Sequence, residues 1–401
     1  MEASLVEQLM ALLLLAFVVG LVARRLFVPY TVALILVGIG LGYTNLLSGI
    51  ELTSQTILTV FLPALLFQGA INLDLKELRA AVLPIVLLAV VGVGVSIVII
   101  AGPFAATLGV APIVAVVLAA TLSATDPVAV LAVFKQLGVP KRLEMIIEGE
   151  ALFNDGTGLV AFQIAVAAAQ TNNVGIGRGI GQFVVVCLGG LALGAAIGFA
   201  SSHILTLTDD HLFEMGFSTI LAYGTYLLGD ALHVSPVIAV VTAGIVVGNY
   251  GRKVGLSERA RTVVIDIWEY LAFVANSFIF LLLGQQVRSV DLGAYLTPSL
   301  AAIALVLISR AVIVYGLAPI VSRLERHLPF SWRHVAFWGG LRGALAVAMV
   351  LSLPHDFPQR DMLVSATFSV VFFTIVVQGI SMEHLVRRLK LREVQAAVTP
   401  H

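Results

Sequence analysis

The stretch Glu148-Gly149-Glu150-Ala151-Leu152-Phe153-Asn154-Asp155 sets three carboxylates and an amide inside a segment that otherwise reads as membrane-spanning. An ionisable group at the bilayer centre costs about 2.5–3.5 kcal/mol on insertion scales, and such groups persist where they face a partner, a cavity or an ion. Two more charged motifs lie in equally apolar surroundings, Ser123-Ala124-Thr125-Asp126-Pro127 and Gly339-Gly340-Leu341-Arg342-Gly343. Desolvation disfavours the charged form of a carboxylate, so a lone one at that depth holds either a proton or a small cation. Competition between the two is all that coupled exchange requires. Exposed carbonyls near Thr125, its hydroxyl, Asp126 and water would complete an oxygen shell for a hard cation such as Na⁺.

The elements that must position these residues are helices. The chain has 401 residues, 59% hydrophobic and 11% charged, with a mean hydropathy of +1.04. Soluble domains carry about 25% charged residues. Apolar runs of about 20 residues recur from end to end, which predicts an all-α polytopic membrane protein forming a single transporter unit over 1–401. About thirteen spans fit, near 5–23, 29–47, 56–73, 80–101, 111–134, 143–170, 180–206, 212–232, 234–250, 262–287, 297–322, 332–353 and 362–385. The first is a spanning helix rather than a secretion signal, because Arg24 and Arg25 follow its apolar run instead of preceding it. Zero net charge gives no field for nucleic acid, and the single cysteine, Cys187, excludes an internal disulfide and a cysteine metal site. No cofactor is expected.

Basic residues orient the spans. With the N-terminus outside, only Arg178, Arg288 and Arg360 of the 23 Lys and Arg residues fall in outer loops, and Arg310 and Arg342 fall within helices. The rest lie in inner loops or the C-terminal tail, which predicts N-outside and C-inside.

Two spans read as broken. Pro127 removes a backbone donor midway along the fifth, so that helix unwinds near Thr125 and restarts after Asp126. The glycines around Arg342 favour unwinding of the twelfth. These are the fifth spans of two six-helix sets if the seventh is a linker, and an odd linker inverts the second set. Paired interrupted helices in corresponding positions point to a transporter built of two inverted repeats. At about 1.5 Å rise per residue, Glu150 lies roughly 10 Å deep, Arg342 roughly 15 Å, Asp155 roughly 18 Å, and Asp126 roughly 22 Å from the outer edge. This convergence predicts a neutralising Glu150–Arg342 pair ordered by Asn154, with Asp155 left free to face the Thr125–Asp126 break. Arg310, in the eleventh span, is expected to form a structural ion pair with Glu269 in the tenth, Asp266 being the other candidate. The acidic cluster Asp209-Asp210-His211 with Glu214 reads as a solvated inner loop.

In order and spacing, Ala124-Thr125-Asp126-Pro127, then Glu148 to Gly156, then Gly340-Leu341-Arg342-Gly343 resemble the sodium/proton antiporters of the NhaP and NHE type. The resemblance covers essentially the whole chain. It implies an NhaA-like antiporter fold with two crossed, unwound helices, assembled as a homodimer. It places the dimerisation part at about 1–79 and 207–295, the ion-translocating core at about 80–170 and 296–390, and a linker helix at 180–206. It further implies elevator-type exchange of Na⁺ or Li⁺ for H⁺, with Asp155 carrying the ion, Thr125 and Asp126 lining the site, and Glu150, Asn154 and Arg342 stabilising it. Asn before the aspartate marks the electroneutral branch, hence one-for-one exchange. Many relatives have Ser where this chain has Ala151 and an acidic residue near Gln68, so a K⁺/H⁺ exchanger of the same fold is the alternative. The long regulatory tail of animal relatives is absent, which favours a prokaryotic inner membrane.

Three other functions fit less well. An intramembrane aspartyl protease needs a Gly-x-Gly-Asp motif, which neither Asp126 nor Asp155 has. A channel needs a repeated filter, and an organic-anion symporter would not need a carboxylate at Asp155.

Overall fold

The structure, a computed structural model, describes residues 5–26, 28–43, 53–171, 175–207, 209–255, 257–324 and 328–391. The predicted end of the second span at 47, and the basic residues Arg326 and Arg392, lie outside the described residues. Among those described there is no strand. The helices are α1 Leu5–Leu26, α2 Tyr30–Gly42, α3 Ser54–Asn72, α4 Val82–Leu108, α5a Pro112–Thr121 and α5b Val128–Leu137, and α6 Lys141–Thr171. They continue as α7 Ile176–Leu207, α8 His211–Ala231, α9 Pro236–Val254, α10 Glu258–Gln286 and α11 Leu296–Leu324. The last two are α12, split into α12a Phe330–Trp338 and α12b Ala344–Leu351, and α13 Arg360–Arg388. Nine helices among the described residues are long and apolar enough to cross a bilayer. Of the others, α5 and α12 fall short because each is broken at its middle.

Local chemistry sets the boundaries. Pro112 and Pro236 open α5a and α9 at positions where the missing N–H has no helical partner in any case. Asp210 caps α8 by accepting from the Leu212 N–H at 2.8 Å. Gly109 and Gly138 end α4 and α5b at φ +65° and +64°, which glycine adopts without steric cost.

The helices pack as two groups. In one, α2 lies along α10 and α3 lies against α9 and α10; in the other, α4 packs on α5a and α11, α6 on α5a, and α11 on α13. Helix α7 lies along α9 through Gly190, Gly194 and Gly198, where any Cβ would meet Ser235, Ala239 or Val246. With lipid on the outside there is little hydrophobic force between helices, so contacts of this kind depend on close backbone approach at small residues. The same device joins α2 to α10: a Cβ on Gly284 would stand 2.9 Å from the Gly38 Cα and closer still to the Ile35 carbonyl.

Gly284→Val should therefore prise α2 from α10. Overpacking typically costs about 1–3 kcal/mol, and here the obstacle is backbone, so the thermal unfolding midpoint in detergent should fall markedly.

Candidate functional site

Unwinding at 122–127 and 339–343 leaves four helix ends inside the molecule, and a charged side chain meets each. Arg342 Nη1 donates to the carbonyls of Ser123 at 2.6 Å and Ala124 at 2.8 Å, at the C-terminal end of α5a. Arg310 donates from Nε and Nη2 to the Ala336 carbonyl, at 3.1 and 2.8 Å, near the C-terminal end of α12a. Asp126 Oδ1 accepts from the Val128 N–H at 3.0 Å, at the start of α5b. The Ala344 N–H, at the start of α12b, is directed at the same carboxylate. Cations thus sit on the negative ends of the helix dipoles and an anion sits on two positive ends. The breaks also meet directly: the Asp126 N–H donates to the Leu341 carbonyl at 2.8 Å.

This crossing explains the glycines of the second motif. A Cβ on Gly343 would overlap the Asp126 carboxylate, and one on Gly340 would stand 2.6 Å from Arg310 Nε. Arg310 reaches its carbonyl, and Asp126 its helix ends, beside chain that is bare.

The ion pairs differ from those expected from depth. Glu150 pairs with Arg310, not Arg342: Nη2 donates to Oε2 at 2.9 Å and Nη1 to Oε1. Arg342 is taken up by the α5a carbonyls, and Glu269 is exposed on α10 rather than paired with Arg310; Asp266 is exposed as well. Depth along the membrane normal fits either arginine. The direction in which each side chain leaves its helix decides, and Glu150 points at α11. Asn154, expected to order the Glu150 pair, instead holds Thr125, accepting its N–H at 3.1 Å and donating Nδ2 to its hydroxyl at 2.7 Å. Two of the carbonyls expected to face an ion, those of Ser123 and Ala124, are occupied by Arg342. The acidic cluster before α8 also resolves differently. Glu214 is fully buried and accepts from the Ser257 N–H and hydroxyl at 3.2 and 3.3 Å.

Asp155 faces a cavity of about 120 Å³ lined by Thr125, Asp126, Glu148, Gln68, Asn276 and Gly343, among others. No described lysine or arginine forms an ion pair with it. Ala151 is buried and brings no oxygen to the site. Asn276, on α10, was not singled out in the sequence, although it is a lone amide in the apolar run Phe273–Leu283. Toward the Ser54 end of α3, α12b packs against residues 54–61. Gln68 and the part-exposed Glu148 line the cavity toward the Lys141 end of α6.

Crossed broken helices with compensated ends, around a cavity that holds an unpaired carboxylate, define a secondary ion transporter. The chain belongs to the family described as sodium/hydrogen exchanger, transmembrane, whose pattern matches residues 13–388. It is 39% identical over 367 residues to the Na(+)/H(+) antiporter ApNhaP of Aphanothece halophytica, covering 91% of this chain and 70% of that one. It is 37% identical over 395 residues to the Na(+)/H(+) antiporter NhaH of Halobacillus dabanensis, covering 95% and 97%. The sodium proton antiporter MjNhaP1 of Methanocaldococcus jannaschii shares the fold, with a TM-score of 0.77 at 18% identity over 95% of this chain and 97% of that one. The chain is therefore a multi-pass membrane antiporter of the sodium/proton exchange family and not an enzyme.

Arg310→Ala should strand Glu150 buried and unpaired. Removing one partner of a buried pair costs about 3–5 kcal/mol, so the variant should unfold well below the parent in a detergent thermal melt.

Proposed function

We propose that the chain exchanges Na⁺ or Li⁺ for H⁺ one for one, with Asp155 as the group for which the two ions compete. The observation that carries this reading is an asymmetry among the charges. Glu150, Arg310, Arg342 and Asp126 are each compensated by an ion pair, freed carbonyls or helix N-termini, whereas Asp155, beside the same crossing, lines the cavity with no ion pair among the described residues. A bound proton or a bound cation each neutralises that carboxylate, and neither leaves room for the other. The Thr125 hydroxyl keeps a lone pair after accepting from Asn154, and Asp126 lies on the same wall, so both are proposed to complete the cation's oxygen shell. Glu150, Asn154 and Arg342 hold the wall in shape.

The two helix groups suggest the moving parts. The proposed core, about 80–170 and 296–390, carries both breaks and Asp155, and shifts against a dimerisation part at about 1–79 and 207–295, with 180–206 as linker. The contact of α12b with residues 54–61 supports an inward-facing state, taking the N-terminus as outside and the protein as a homodimer in a prokaryotic inner membrane. In one-for-one exchange the membrane potential drops out. One pH unit then supplies about 1.4 kcal/mol, enough to hold a tenfold cation gradient. The amide at Gln68 and the methyl at Ala151 remove oxygens that would favour a small ion, and they keep K⁺/H⁺ exchange as the second reading.

In proteoliposomes with a pH-sensitive dye, Na⁺ should dissipate an imposed pH gradient at a rate insensitive to clamped voltage, and Asp155→Asn should abolish this while eluting as a folded dimer. Activity retained by Asp155→Asn would remove the assignment, and a larger response to K⁺ than to Na⁺ would select the second reading.

A further inference from the structure

We infer that Glu148 is a second cation-holding carboxylate, a way station between Asp155 and the compartment at the Lys141 end of α6. The inference rests on the exchange reading above and adds an entry path to it. Glu148, Leu152 and Asp155 line the same cavity, and their spacing of four and then three residues makes one stripe along a helix. Seven residues place Glu148 about 10 Å from Asp155 along the α6 axis. Glu150 lies off that stripe and is spent on Arg310. Glu148 has no such partner among the described residues: the nearest charges are Glu144, one turn earlier on α6, and Lys135 on α5b, and neither forms an ion pair with it. The facing wall, α3, offers only the uncharged amide of Gln68. A part-buried carboxylate without an ion-pair partner among the described residues, one helix stripe away from Asp155 in the same cavity, attracts a cation before Asp155 does.

Sidedness is what separates a way station from a general electrostatic influence. In proteoliposomes of uniform orientation, Glu148→Gln should raise the half-saturating Na⁺ concentration about tenfold when Na⁺ is supplied at the Lys141 end, the size of effect that two unit charges about 10 Å apart exert within a protein. The change should fall on half-saturation rather than on the maximal rate, should be absent when Na⁺ is supplied from the opposite side, and should be reversed by Glu148→Asp. Lys135→Gln, which removes the cation facing Glu148, should lower half-saturation on the same side, and it reads the site even if Glu148→Gln fails to assemble. An unchanged half-saturation in these variants, or an equal rise on both sides, overturns the way station while leaving exchange at Asp155 intact. A parent protein that shows no cation-driven dye response overturns both.

Discussion

A helix broken inside an apolar body exposes backbone amides and carbonyls that no lipid can satisfy, and the whole site is organised by that requirement. Each break creates one positive and one negative end. Arg342 and Arg310 answer the negative ends of α5a and α12a, and Asp126 answers the positive ends of α5b and α12b. The arginines come from distant parts of the chain and are themselves held, one by Glu150 and the other by the crossing. The buried charges are thus mutually dependent: removing any one leaves another without a partner in low dielectric, where it is most costly.

Against that background the freedom of Asp155 has meaning. Fixing the charges at the crossing would let a carboxylate beside it change its passenger, as proposed for Asp155, without disturbing the fold around it. Asn154, its immediate neighbour, secures the break through Thr125, so the helix that carries Asp155 also fixes the wall opposite it. On the proposed reading, structure and exchange are divided between adjacent residues pointing about 100° apart on one helix.

Much of this was legible in the sequence. Hydropathy located the helices, and Pro127 and the glycines beside Arg342 located both breaks. The motif residues Thr125, Asp126, Asn154 and Asp155 come together around one crossing. The pairings were not legible, because rise per residue gives depth and depth alone does not say which way a side chain leaves its helix. Glu150 could be matched to Arg342 or to Arg310 on that basis, and only the direction in which Glu150 leaves α6 and the unwound course of 339–343 separate them. Nor did hydropathy register Asn276, the burial of Glu214 or the Gly190, Gly194 and Gly198 seam, since one polar residue hardly alters the mean of its window and glycine is close to neutral in it.

The contacts at the crossing join residues far apart in the chain: Arg342 reaches Ala124 across 218 positions. At about 5–20 residues per second, a ribosome needs on the order of ten to forty seconds to supply the arginine after the first break has emerged. Through that interval the end of α5a has no guanidinium, and Asp126 lacks both the Leu341 carbonyl and the second helix start. The N-terminal half must wait in the insertion machinery or beside water with its polar backbone uncovered. Biogenesis of this protein is in that sense closed by its final third, and a truncation before Gly343 would yield an inserted chain that quality-control proteases could recognise by an unsealed seam.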